Sequence, residues 1–350
     1  MGLRSNKKII RYRRIEKPIK KLSYSYALIY FRICILSFIP SAISSTITAA
    51  MRGAGNTVIP CIYNTIANVV NIFLNWVLIN GKIGFPALGI AGAAIATVIS
   101  TVIGLVISLF VLASYKYGFH FHIKELFEKV DAVYLREIIR IGLPAMAEHL
   151  IIRVGLLVFT KIVASLGTEL YATHTICLNI QTLSFMNGMA FSVASTTKSG
   201  QSLGASREDL AVVYSQYCAR MCCLFSLFLS IIYFFFGKEL ISLYNHEQTI
   251  IEKGIIPLQL IAIMQPFSAL QYVFSGAIRG AGDTKYTAMV TTTTTFFIRP
   301  FVAYLLVIVF HLGLVGAWIG MVADQLTCSI LMCLRFCSGK WRYAYKEKLN

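Results

Sequence analysis

A chain of 350 residues that is 57% hydrophobic and 13% charged carries about half the charge of an ordinary soluble domain, which holds near 25%; a soluble domain of this length is excluded. Its net charge of +17 does not mark a nucleic-acid binder, because Lys and Arg gather in the tails and loops around apolar runs, the pattern that membrane topology selection produces. Nine cysteines stand singly or as neighbours in apolar runs, with no CxxC pair, and read as small membrane hydrophobes, so neither metal nor cofactor is expected.

Residues 1–23 form a basic tail, with nine Lys and Arg in the first 21 positions and no apolar core for a secretory leader. Apolar runs broken by Gly, Pro and charge then predict nine helices, at about 24–51, 57–80, 88–114, 137–165, 170–198, 211–236, 252–278, 285–310 and 313–337. The expected fold class is all-α, a polytopic membrane protein with the lipid bilayer as its surroundings. Residues 115–136 form the longest and most charged connection, a cytoplasmic link between an incomplete first lobe at 24–114 and a second lobe at 137–337; a cytoplasmic tail follows at 338–350. His120, His122 and Glu125 in that link lack the HExxH spacing that sets ligands on one helix face. A membrane enzyme using this loop stays an alternative.

In the second span Asn64, Asn68, Asn71 and Asn75 are spaced 4, 3 and 4 apart, which puts them on one helical face. Such a stripe reads either as interhelical hydrogen bonding, about 0.6 kcal/mol per contact, or as an oxygen-rich wall for a hard cation such as Na+. Of fifteen acidic residues, Glu148 and Asp324 alone lie well inside predicted spans, where a charge costs about 2.5–3.5 kcal/mol on insertion scales. Glu148 reads as a proton or cation carrier, a counter-charge for a cationic substrate, or an interfacial carboxylate. Asp324 reads as functional or as a structural partner of a neighbouring element. The fifth span holds His174, Asn179 and Gln181; His174 and Gln181 share a face and read as a packing pair ahead of a switch. Phe185, Met186 and Met189 offer a deformable wall for varied ligands, or face lipid.

MRGAGNT at 51–57 returns as IRGAGDT at 278–284, and LGIAGAAIAT at 88–97 returns as LGLVGAWIGM at 312–321. Arg52 and Arg279 are 227 residues apart, Gly89 and Gly313 224 apart, so the repeat is direct and implies two lobes related by an axis along the membrane normal. Arg52, Gly53, Gly55, Arg279, Gly280 and Gly282 are expected to build tight structural turns, since RGAG lacks the GK[ST] ending of a phosphate loop. Within the second lobe four spans precede its RGAG, and within the first lobe one does. The symmetric molecule expected from this has twelve helices, with the chain starting part way through the first lobe.

Both RGAG turns, NVVNIFLNWVLINGKIGFPALGIAGAA (68–94), GLPAMAEHLIIRVG (142–155), the segment ATHTICLNIQTLSFMNGMAFSVASTTKSGQSLGA (172–205), RPFVAYLL (299–306) and GAWIGMVAD (316–324) resemble the multidrug and toxic compound extrusion (MATE) family, in matching order from about Leu22 to Arg342. The resemblance implies a plasma-membrane antiporter, coupled to Na+ or H+, that exports cationic amphipathic molecules by rocking two six-helix lobes. It implies ligand positions at Asn71 and Asn75, the second neutral here where relatives often carry aspartate. The family's first three helices, with an aspartate implicated in coupling, have no counterpart, so a separate chain supplying them is an expected partner. A lipid-linked oligosaccharide flippase of the same broad fold is the alternative transporter; it needs cavity cations, and the spans offer Arg32, Arg153, Lys161 and Arg299.

Overall fold

The computed structural model describes residues 24–113 and 132–342, which are helical with no strand among them. The basic tail, the loop residues His120, His122 and Glu125, and residues 343–350 lie outside the described residues. Two compact units divide the chain, Met1–Lys129 and Val130–Asn350.

The first unit holds α1 (Tyr24–Gly53), α2 (Val58–Asn80) and α3 (Gly89–Ala113). The second holds α4 (Ala132–Ala164), α5 (Thr168–Gly204), α6 (Glu208–Phe235), a short α7 (Gly237–Ser242), α8 (Gln248–Gly280), α9 (Thr284–Val309) and α10 (Gly313–Cys337). All but α7 have the 20 or so residues that cross a bilayer. Among the described residues, seven of these helices are long and apolar enough to cross by length and composition; α4 and α5 also have the length. The nine predicted spans correspond to nine long helices among the described residues. The predicted link at 115–136 ends earlier, because α4 begins at Ala132, and α5 runs on to Gly204, six residues past its predicted end. Hydropathy reports where hydrocarbon begins, whereas a helix continues into water as long as its own hydrogen bonds persist.

In the second unit α8 is central, packing on α5, α6 and α10, and half of its most apolar stretch is buried. Glycines allow the contact with α5. A Cβ on Gly276 or Gly280 collides with the carbonyl oxygens of Ser192 and Thr196, and the Thr196 hydroxyl donates to the Gly276 carbonyl at 2.9 Å. Close backbone approach at small residues four apart is how helices associate where lipid removes the hydrophobic drive. A cluster around Trp318, Leu258 and Ile261 fills the space between α4, α5, α8 and α10 at one end of the unit.

The repeat is visible atom by atom. In the first RGAG turn Gly55 N–H bonds to Arg52 C=O at 2.9 Å and Asn56 N–H to Met51 C=O at 3.0 Å. In the second, Gly282 N–H bonds to Arg279 C=O at 2.9 Å and Asp283 N–H to Ile278 C=O at 3.1 Å. Each is a Schellman cap, which needs a left-handed residue, and Gly55 (φ 95°) and Gly282 (φ 85°) supply it. The second repeated turn also matches: Leu88 N–H reaches Leu78 C=O, and Leu312 N–H reaches Leu306 C=O, both at 2.9 Å. Leu78 and Leu306 are 228 apart, one more than Arg52 and Arg279. α9 holds two π-helical stretches, Thr294–Ile298 and Leu305–Val309, each the usual signature of a one-residue insertion in an α-helix; the first lies ahead of Arg299 and absorbs the added residue there.

Candidate functional site

Three polar places stand out. The first lies beside the second RGAG turn. Glu148 of α4 is 6% exposed; its Oε1 accepts from Arg279 Nη2 of α8 at 2.8 Å and from the Thr291 hydroxyl of α9 at 2.6 Å. Since Arg279 is the next-to-last residue of α8, the carboxylate sits level with the turn. Around it, Asp283 accepts two hydrogen bonds from Arg335 of α10 at 2.9 and 2.7 Å, and the Arg335 guanidinium lies 4.7 Å from the Tyr286 ring. Glu148 is therefore partnered by the arginine that the sequence assigned to scaffold, and one turn serves both roles.

The second place is deeper. Asp324 of α10, 2% exposed, accepts from Arg299 Nε of α9 at 2.7 Å and from its Nη2 at 2.5 Å. Arg299 also lies 5.9 Å from the Phe159 ring. The pairing ties α10 to α9 through Asp324. Nearby, the His174 ring sits edge-on between Phe159 and Trp318, at 5.7 and 5.3 Å, and its Nδ1 has no hydrogen-bond partner among the described residues. His174 thus packs against aromatic rings, while Gln181 is half-buried and Asn179 exposed on the same helix. Phe185 meets Tyr272 edge-on at 5.6 Å, and Met186 and Met189 are exposed.

The third place belongs to the first unit. Asn64, Asn68 and Asn71 line a cavity of about 510 Å³ with Ser41, Ser44, Ser45, Thr48 and Arg52 of α1 and Thr97, Ser100 and Thr101 of α3. Asn75 does not line it; its amide donates to Asn71 at 2.9 Å, and Asn71 donates to Ser100 at 3.1 Å. Asn64 is turned back onto the Pro60 carbonyl at 2.7 Å. The lining is hydroxyl and amide, with Arg52 as its one charged side chain; the amide carbonyl oxygens are of the kind hard cations take, and the formal charge beside them is positive. Sequence reasoning missed the α1 hydroxyls. Their signal was a polar stripe at positions 41, 44, 45 and 48, helical spacing within an otherwise apolar run.

Once the π insertion is allowed for, Asn71 corresponds to Arg299, and Ser100, by the 224-residue offset of Gly89 and Gly313, corresponds to Asp324. A polar bar thus joins the same two helices in each repeat, amide to hydroxyl in one and guanidinium to carboxylate in the other.

Comparison with known proteins agrees with the repeat. The family model MatE matches residues 16–77 and 144–305. The two matches end 228 residues apart, the offset of Leu78 and Leu306. The chain is 35% identical over 314 residues to a probable multidrug resistance protein NorM of Thermotoga maritima, covering 89% of this chain and 67% of that protein. It is 28% identical over 306 residues to the uncharacterized transporter YisQ of Bacillus subtilis, covering 87% and 67%. The fold is that of a crystal structure of MATE in the bent conformation, with TM-score 0.81 at 19% identity over 93% of this chain and 70% of that one. Matched by the family model over more than half its length and by a relative at 35% identity, this multi-pass plasma-membrane chain belongs to the MatE family, whose members are transporters and not enzymes.

Proposed function

We propose that the chain serves multidrug efflux, exporting cationic amphipathic molecules by antiport against Na+ or H+. The observation that carries the reading is the 35% identity across 314 residues with a protein named for multidrug resistance. The chain spans about two thirds of that relative. Coupling runs through Glu148 on this reading. Its partners come from two other helices, α8 and α9, so a proton or Na+ that neutralises the carboxylate frees Arg279 and loosens three helices together, the differential contact that alternating states require. Drug takes the place of the ion when the lobes change access. The test is dye transport by vesicles containing the full chain, with a fluorescent organic cation and an imposed gradient of H+ or Na+ in turn. Dye movement driven by one gradient supports the reading; none under either gradient, with the chain inserted, removes it.

A further inference from the structure

We propose that the outer face of α5 and α6 holds the headgroup of an anionic phospholipid, with Lys198 and Arg220 as its phosphate contacts. The two helices are fixed in register there by the buried hydroxyls of Ser199 and Ser215, 3.0 Å apart. Lys198 Nζ lies 5.8 Å from the Tyr214 ring, and the Arg220 guanidinium lies 5.7 Å from the Tyr217 ring. All four side chains are exposed.

Depth separates this pair from ordinary surface charges. Residues 221–235 of α6 carry no charge, and from Tyr217 to Phe235 the helix rises about 27 Å, close to the roughly 30 Å of hydrocarbon in a bilayer. Tyr217 therefore stands at a border of the apolar layer, where tyrosines gather, and Arg220 is about one turn inside it. Beside Arg220 the exposed face is made of Tyr217, Met221 and Leu224, a surface for lipid and not for water. A helical side chain leans toward the N-terminus of its own helix. Arg220 does so, which returns its guanidinium over Tyr217 to headgroup level. Tyr214 lies one turn further out, level with Lys198, so the two rings carry both cations along the border.

These charges have no internal answer. Among the described residues neither Lys198 nor Arg220 forms an ion pair. The acids in the first turn of α6 are engaged elsewhere: Asp209 accepts from Arg207 at 2.9 Å, and Glu208 stands 3.9 Å from Arg342. A cation at the edge of hydrocarbon is costly without a counter-ion, and a lipid phosphate, held at that depth by its own acyl chains, supplies one. Those chains run along the exposed Met221, Leu224 and Phe228, on the same face as Tyr217. A free phosphate ion has nothing to place against that apolar stretch.

The experiment is fluorescence anisotropy of tail-labelled phosphatidylglycerol added to the full chain in mild detergent, with phosphatidylcholine carrying the same label as the zwitterionic control. The expected result is tighter binding of phosphatidylglycerol by the wild type. Lys198→Gln and Arg220→Gln should each weaken it about fivefold, and the two together about thirtyfold, with phosphatidylcholine binding and the lipid-free thermal midpoint unchanged. Lys198→Arg with Arg220→Lys keeps both charges and should retain the preference. Equal affinity of the wild type for the two lipids, or undiminished phosphatidylglycerol binding by the double Gln variant, overturns the proposal. So does displacement of the lipid by inorganic phosphate beyond that caused by chloride at equal ionic strength, which would make the site one for a free anion. A Tyr217→Cys homodimer that forms equally well with and without phosphatidylglycerol would give the face to a second copy and overturn it too. The readout is lipid binding, so it stands or falls separately from dye transport.

Discussion

At the scale of single residues, two buried acids have been given different work by their partners. Asp324 and Arg299 are both largely buried, so removing one partner strands a charge. Breaking such a pair costs about 3–5 kcal/mol, whereas replacing both members by apolar residues is often close to neutral. Asp324→Asn is therefore expected to lower the thermal midpoint in detergent by several degrees, at about 2–4 °C per kcal/mol, and Arg299→Met with Asp324→Leu to lower it less. A double variant no better than the single one would show that the pair does more than satisfy itself. Glu148 differs because its arginine is partly exposed, so solvent relieves the stranded charge. Glu148→Gln is expected to leave insertion and midpoint near wild type while abolishing ion-driven dye transport; full transport in that variant would remove Glu148 from coupling.

At the scale of helices, glycine geometry separates the two copies of the repeat. Gly280→Ala forces a Cβ into the Thr196 carbonyl, and Gly53→Ala enters open space. Overpacking costs about 1–3 kcal/mol, so Gly280→Ala should lower the thermal midpoint measurably and Gly53→Ala should not. By contrast, Gly55→Val and Gly282→Val should both destabilise, since each forces a β-branched side chain into the left-handed region that the caps occupy. The nine spans and the repeat were legible in the sequence because hydropathy and spelling are local properties, whereas Glu148, read as well inside its span, sits level with the RGAG turn. Other features were not. Arg279 lies 131 residues from Glu148, and no local pattern names a partner at that distance. The π stretch at Thr294–Ile298 leaves no mark beyond a one-residue change of offset. The Asn stripe was read as four equivalent residues, yet Asn75 falls off the cavity, because its amide is spent on Asn71.

At the scale of the molecule, the charged pairs of the second unit tie one end together. Asp283 binds Arg335, Glu148 binds Arg279, and Arg342 stands 3.9 Å from Glu208, so the turn after α8, the start of α6 and the end of α10 share a face. With basic residues retained inside, that face is expected to be the cytoplasmic one. A cysteine at Ser206, in a background with the nine native cysteines replaced, should react with an impermeant maleimide in inverted vesicles only, and one at Glu247 in intact cells only; the reverse pattern would invert the topology. The inserted residue in α9 has a consequence for the chain's history and for its engineering. One residue turns a helix by about 100°, so the two copies stopped being interchangeable when α9 gained it. A chimaera that replaces α9 from before Thr294 by the second half of α2 loses the extra residue and the π stretch together, and keeps its polar bar toward α10. The same graft with the extra residue kept in a plain α-helix turns the bar toward lipid.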